Sequence, residues 1–171
     1  MTPYRSKKDK MVIVVDTREP KPGESGAYTF DGFDDVRVVR NTLDVGDFAL
    51  GGVDLDGVAY RDMIMIERKT LADLVGSINP KTSNGERREE FERMWMRTKL
   101  GQKRVLLIEG LFRHLISGDY RAAFHPNSAL GTLFAWQQRY GFDVVWVSGA
   151  AEGQVVVYWH LREFLRMHTG G

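Results

Sequence analysis

The stretch Ile66-Glu67-Arg68-Lys69-Thr70-Leu71-Ala72-Asp73 puts charge where burial is expected. It follows the apolar run Met63–Ile66, which reads as the end of a buried strand. It precedes Leu71, Leu74, Val75 and Ile78, spaced as one face of a helix. Three successive charges in that setting are costly unless each has a partner or a task. Alternate side chains of a strand share a face, so Glu67 and Lys69 are predicted to point one way and Arg68 the other. A carboxylate beside an ammonium suits a hydrolytic metal site. The acid holds a hard cation, and the lysine stabilises charge developing on an attacked phosphate.

Other strand ends repeat the pattern. Met11-Val12-Ile13-Val14-Val15 is a continuous β-branched run that stops at Asp16-Thr17-Arg18-Glu19-Pro20, where the proline marks a turn. Val45–Leu50 reads as a further strand and contains Gly46-Asp47. A single Asp at a strand end is ordinary turn chemistry. Asp16, Glu19, Asp47 and Glu67 recurring with Lys69 at successive strand ends point instead to a site on a rigid support.

The elements that must position these groups are legible as apolar runs and their stops. Val36–Arg40 is a strand candidate, and Asp56-Gly57 between two short extended runs predicts a hairpin returning into Met63–Lys69. Asn79–Gly85 is a polar linker, and Phe91, Met94, Trp95 and Leu100 set a helix over Glu86–Leu100. Arg104–Gly110 is a buried strand, followed by a short helix over Leu111–Ser117. His125–Ser128 caps a helix over Ala129–Tyr140 that Gly141 ends. Phe142–Val147 is the last strand and Ala151–Met167 the last helix. Strands alternating with helices imply parallel pairing, and the hairpin implies an antiparallel section. The expected fold is therefore α/β, a mixed central sheet with helices on both sides.

A chain of 171 residues, 43% hydrophobic, is long enough for one well-buried core. A net charge of +1 means that any polyanion binding must come from local segregation of charge. The absence of cysteine excludes disulfides, thiolate zinc sites and cysteine nucleophiles. No apolar run approaches the roughly 20 residues of a membrane span, and the polar, basic start over residues 1–10 is not a secretory signal but a basic arm, either solvated or an accessory contact to a polyanion. An intracellular protein is expected: cytoplasmic in a prokaryote or phage-infected cell, nuclear in a eukaryote. His114, His125, His160 and His168 have no ligand spacing.

Val15-Asp16-Thr17-Arg18-Glu19, Val45-Gly46-Asp47-Phe48 and Ile66-Glu67-Arg68-Lys69-Thr70-Leu71-Ala72-Asp73 together resemble the nuclease domain of the XPF family of structure-specific endonucleases. That family carries a V-D-x-R-E strand end, then G-D, then E-R-K-x-x-x-D, and no charged position differs here. The similarity extends roughly from Met11 to Arg166, so residues 11–168 are expected to form one such domain. The helix-hairpin-helix and helicase modules of longer relatives are not expected in this stretch, which leaves three alternatives open: pairing with a separate DNA-binding partner, action in a phage or mobile-element context, or less selective cutting.

The resemblance implies a restriction-endonuclease-like core cutting DNA with one or two Mg²⁺ or Mn²⁺ ions. Asp47 and Glu67 would be the principal metal ligands, helped by the Arg68 carbonyl, with Lys69 as catalytic lysine. Asp16 and Glu19 would be outer acids, binding a second ion or orienting water, and Asp73 would orient Lys69 or Arg68 or else ligate metal directly. Arg18 and Arg68 suit phosphate contacts or structural pairing with the acids. The implied substrate is branched, flapped or junction DNA in repair, recombination or replication. The alternative is a non-catalytic scaffold subunit of a nuclease complex, which need not retain the acids and Lys69.

Lys81–Arg104 holds eight basic residues against four acids. Either Arg87 or Arg88 corresponds to an arginine that the family places near the site, and the same charges also allow i,i+4 pairs such as Glu89–Arg93. The aromatic residues of the closing region are expected to be mostly core. The resemblance implies a homodimer through the C-terminal helices, with Trp159 and Leu165 as candidates for a partner face.

Overall fold

The computed structural model describes residues 10–169, so the basic arm expected over residues 1–10 lies, apart from Lys10, outside the described residues. The strands are β1 (Met11–Asp16), β2 (Val36–Asn41), β3 (Phe48–Leu50), β4 (Ile64–Thr70), β5 (Lys103–Glu109) and β6 (Asp143–Val147). The helices are α1 (Leu71–Ile78), α2 (Glu86–Met96), α3 (Phe112–Ser117), α4 (Pro126–Tyr140) and α5 (Ala150–Thr169). The strands form one six-stranded sheet in the order β2-β1-β3-β4-β5-β6. β3 is antiparallel to both neighbours, and the remaining pairings are parallel, giving the mixed sheet expected.

Period-two alternation divides the core. Ile13, Val15, Phe48, Ile64, Ile66, Val105 and Leu107 face α5 and the 20s loop. Met65, Leu106 and Ile108 face the opposite layer of α1, α2 and α4. Both faces are covered, which is why β1 and β5 read as unbroken apolar runs.

Several boundaries move for local reasons. β3 begins only at Phe48 because Gly46, at φ 76°, bends the chain off the sheet. A Cβ there would lie 3.0 Å from the Met65 side chain and 3.1 Å from the Ile66 carbonyl, so that bend needs glycine. The Asp56-Gly57 turn forms, with Asp54 accepting from the Asp56 and Val58 amides, but a 3-10 turn over Tyr60–Asp62 interrupts the return to β4. α2 stops at Met96 rather than Leu100. The Thr98 hydroxyl donates to the Trp95 carbonyl, and Leu100 is fully exposed instead of continuing the apolar face. α4 begins at Pro126, three residues before the expected Ala129, because Pro126 fits the first turn and the His125 ring accepts from the Asn127 amide as N-cap.

Of the two residues expected on a partner face, Trp159 is exposed but Leu165 is buried in the core beneath α5. No helix among the described residues is long and apolar enough to cross a membrane.

Candidate active site

The sheet register brings the acids together. One step beyond the Val15–Phe48 pair, the Asp16 amide donates to the Asp47 carbonyl at 2.8 Å. The Asp47 amide in turn donates to the Ile66 carbonyl at 2.8 Å, setting Asp47 beside Glu67. The expected alternation along β4 is observed. Glu67 and Lys69 face the cleft under α2, while Arg68 turns to the other face of the sheet. The Lys69 Nζ lies 3.1 Å from Glu67 Oε1 and 4.6 Å above the Phe91 ring, so it is fixed from two sides. Arg18, Asp44, Arg87, Glu90 and Arg97 complete the polar rim of this cleft.

Its electrostatics are those of acids held close together. Burial, then the neighbouring Glu67 and Glu19 carboxylates, push the Asp47 carboxyl well above its ordinary range, against the Arg68 amide that donates to it at 2.8 Å. Burial likewise raises Glu67, with Lys69 opposing. Among the described residues no three His, Asp or Glu side chains form a ready-made cation cage. Two strained carboxylates in an open cleft nevertheless fit a magnesium-like ion. Such an ion takes one or two protein carboxylates, leaving its other positions to water and a substrate phosphate.

The other expected site residues divide sharply. Asp16 is fully buried and both its oxygens are engaged. Oδ1 accepts from the Arg18 amide (2.8 Å) and Nε (2.7 Å), and Oδ2 from Arg18 Nη2 (3.1 Å) and the Leu43 amide (2.8 Å). Burial would raise its pKa, but these donors together lower it. In this arrangement Asp16 holds Arg18 at the cleft rim rather than offering an oxygen to the cleft. Arg40 supports the same loop, its guanidinium reaching the carbonyls of Asp16 (3.3 Å), Thr17 (3.4 Å) and Pro20 (3.2 Å).

Glu19 and Arg68 lie on the far face. Arg68 donates to Glu19 at 2.8 Å and to Glu109 at 2.9 and 3.2 Å, and its guanidinium stacks 4.5 Å over the Tyr28 ring. Of the two roles open to Arg68, structural pairing with acids is the one this geometry serves, and the expected phosphate contact is not presented. Asp73 contacts neither Lys69 nor Arg68. It exchanges hydrogen bonds with Thr70, the N-cap of α1, and lies 3.6 Å from Arg87. Its expected orienting role is therefore replaced by capping, because a side chain three residues into a helix reaches its own N-cap most easily.

Arg87 lines the cleft, packed over Gly76, whereas Arg88 turns away to the Ile78 carbonyl at 3.3 Å and the Trp136 ring. Glu109 and Tyr28, whose hydroxyl donates to Glu109 at 2.6 Å, belong to this network although neither carries a site role in the sequence reading. Glu109 at the end of an apolar run was the available signal.

The chain matches the ERCC4 domain family over residues 15–158. Among solved structures it is similar to XPF from Aeropyrum pernix in complex with DNA, with a TM-score of 0.64 and 19% identity, over 92% of this chain and 66% of that one. It is also similar to XPF from Aeropyrum pernix alone, at 0.62 and 22% identity, over 90% of this chain and 61% of that one. The chain thus spans somewhat under two thirds of the length of these solved relatives, and at such identities the likeness is one of fold. No curated protein matches the sequence. The family match covers most of the chain and includes every strand-end acid described above, so the chain belongs to the ERCC4, or XPF-type, nuclease domain family.

Proposed function

We propose that this domain is a metal-dependent DNA endonuclease that hydrolyses phosphodiesters at branched, flapped or single-strand/double-strand junctions. The observation that carries the reading is the Asp47–Glu67–Lys69 constellation, two acids with raised pKa and a lysine fixed 3.1 Å from one of them. It stands in a cleft rimmed by Arg18 and Arg87. A scaffold domain has no need of such strained acids. The solved relative captured with DNA supports the choice of substrate.

Asp47 and Glu67 would hold Mg²⁺ or Mn²⁺, which when bound supplies Lewis-acid polarisation of the phosphate and an acidified water. Lys69 donates to the non-bridging phosphate oxygen, which gains charge in the transition state. Phe91 beneath Lys69 keeps the ammonium in place and limits water around it. Asp16 orients Arg18, and Arg18 and Arg87, which both line the cleft, hold the substrate phosphates.

The test is cleavage of labelled flap, splayed-arm, nicked and plain duplex DNA with Mg²⁺ or Mn²⁺, wild type beside Glu67→Ala and Lys69→Ala. Metal-dependent cutting near the junction, lost in both variants, is expected. Wild-type activity in either variant would sink the assignment, and DNA binding without cutting by the wild type would favour the scaffold.

The placement of the two arginines gives a second expectation. Arg87→Ala is expected to lower the dependence of log K on log salt for duplex binding by about 0.9, the share of one phosphate contact. Arg88→Ala is expected to leave that slope unchanged. Equal effects of the two would show that Arg88 also reaches DNA.

A further inference from the structure

A second cleft adjoins the first and shares with it the wall formed by Asp44, Val45 and Arg97. It continues past the carboxylate pair toward the start of β4, where Arg61, Asp62 and Lys99 line it. Lys99 is neutralised by Asp62 at 2.5 Å. The guanidiniums of Arg61 and Arg97 are exposed and have no carboxylate partner among the described residues. The frame carrying them is nevertheless fixed. Gln102 is buried, its Nε2 donates to the Arg61 carbonyl at 3.0 Å, and its Oε1 accepts from the Lys99 amide at 3.0 Å. One amide side chain thus ties the Tyr60–Asp62 turn to the loop after α2.

Unpaired guanidiniums on a rigid frame, open to a catalytic cleft, are preorganised for an anion that arrives with the substrate. The cleft holds about 160 Å³, on the scale of one sugar-phosphate unit. No aromatic side chain lines it, so it offers no stacking platform for bases. Contacts of this kind position a strand without reading its sequence.

Building on the nuclease reading, we propose that this second cleft binds the phosphate backbone of a single DNA strand adjoining the scissile phosphate, through Arg61 and Arg97. Ile64 to Glu67 along β4 spans roughly 10 Å, so a strand must extend past the cut position to occupy it. An unpaired arm then lies in the cleft while the paired region stays outside, and the domain acquires a preference for junctions without a second module.

The test uses Arg61→Gln/Arg97→Gln with chelator present, so that binding is read without cleavage. Anisotropy of a labelled 20-nucleotide single strand and of the matching duplex is followed against KCl. The double variant is expected to lower the single-strand salt slope by about 1.4, two contacts at about 0.7 each, and to weaken single-strand binding about tenfold, with duplex binding weakened less and Tm unchanged. In the presence of metal, Arg61→Gln alone, which lies outside the first cleft, is expected to cut a flap with a one-nucleotide arm at the wild-type rate and one with a 15-nucleotide arm more slowly than wild type. An unchanged single-strand slope, or equal losses on strand and duplex, overturns the strand site and leaves the nuclease reading intact. A wild type that cuts nothing, with the single-strand slope still falling in the variant, removes the nuclease reading and retains the strand site.

Discussion

Asp47→Asn is expected to abolish cleavage and at the same time to make the metal-free protein more stable. Asp47 is held against Glu67 with burial and like charge both resisting ionisation, so its negative charge is a cost to the fold until a cation arrives. The sign follows from linkage. Both carboxyls have folded pKa values above their ordinary values of 3.8 and 4.5, so the folded chain holds their protons more tightly than the unfolded chain. That contribution to stability is complete below the ordinary values and is lost as pH rises through the folded ones. Wild-type Tm without metal should therefore fall from this source as pH climbs from about 4 toward neutrality, and the fall should be shallower in Asp47→Asn. At neutral pH the variant is expected to gain on the order of 1 kcal/mol, about 2–4 °C in Tm. Mn²⁺ or Mg²⁺ well above its dissociation constant should raise the wild-type Tm, by about 2.7 kcal/mol at a hundredfold excess, and should barely move the variant. A variant that loses stability while still responding to metal would mean that Asp47 is structural and the ion sits elsewhere.

The division between what the sequence reveals and what it hides follows the range of the interactions. The opposite orientations of Glu67, Lys69 and Arg68 are set by the two-residue repeat of a strand and needed no tertiary knowledge. Likewise β1 and β5 announce themselves because both of their faces are covered, and the Gly46-Asp47 pair is visible because a left-handed bend next to a site needs glycine. The partners of Arg68 were not legible, since Glu19 and Glu109 lie 49 and 41 positions away in the chain. The choice between Arg87 and Arg88 turns on helix phase, one residue being about 100° of rotation. That phase is set by Ser83, Asn84 and Gly85, all at positive φ in a linker that reads only as polar. Leu165 failed as a partner contact because its helix lies flat on the sheet, a packing choice that its own periodicity leaves open. Asp16 is a subtler case. Its register beside Asp47 is what an acid cluster requires, yet the Arg18 and Leu43 amides with the Arg18 guanidinium fill its lone pairs.

The largest structural effect is expected from Glu109→Ala. Glu109 joins Arg68 to the Tyr28 hydroxyl, and the side chains of Arg68 and Glu109 are only 10% and 11% exposed. Removing Glu109 leaves the Arg68 guanidinium with Glu19 alone and the Tyr28 hydroxyl without its acceptor, a loss on the order of 3 kcal/mol for a broken buried pair. At about 2–4 °C per kcal/mol, the Tm should drop by roughly 10 °C. The effect should also reach the cleft, because the Arg68 side chain anchors the backbone between Glu67 and Lys69 from the far face of the sheet, and kcat should fall more than KM rises. The diagnostic variant is Arg68→Met/Glu109→Leu, which withdraws both charges together. If the cost of Glu109→Ala is that of an abandoned buried charge, the double variant should recover a large part of the lost stability in urea titration, a coupling of more than 1 kcal/mol between the positions. Additive losses would instead show that Glu109 stabilises the fold through its own packing. Recovered stability without recovered kcat would separate the two tasks of Arg68: the neutral pair fills the space, but only the bidentate guanidinium, gripped by two strand ends, fixes the angle at which β4 presents Glu67 and Lys69 to the cleft.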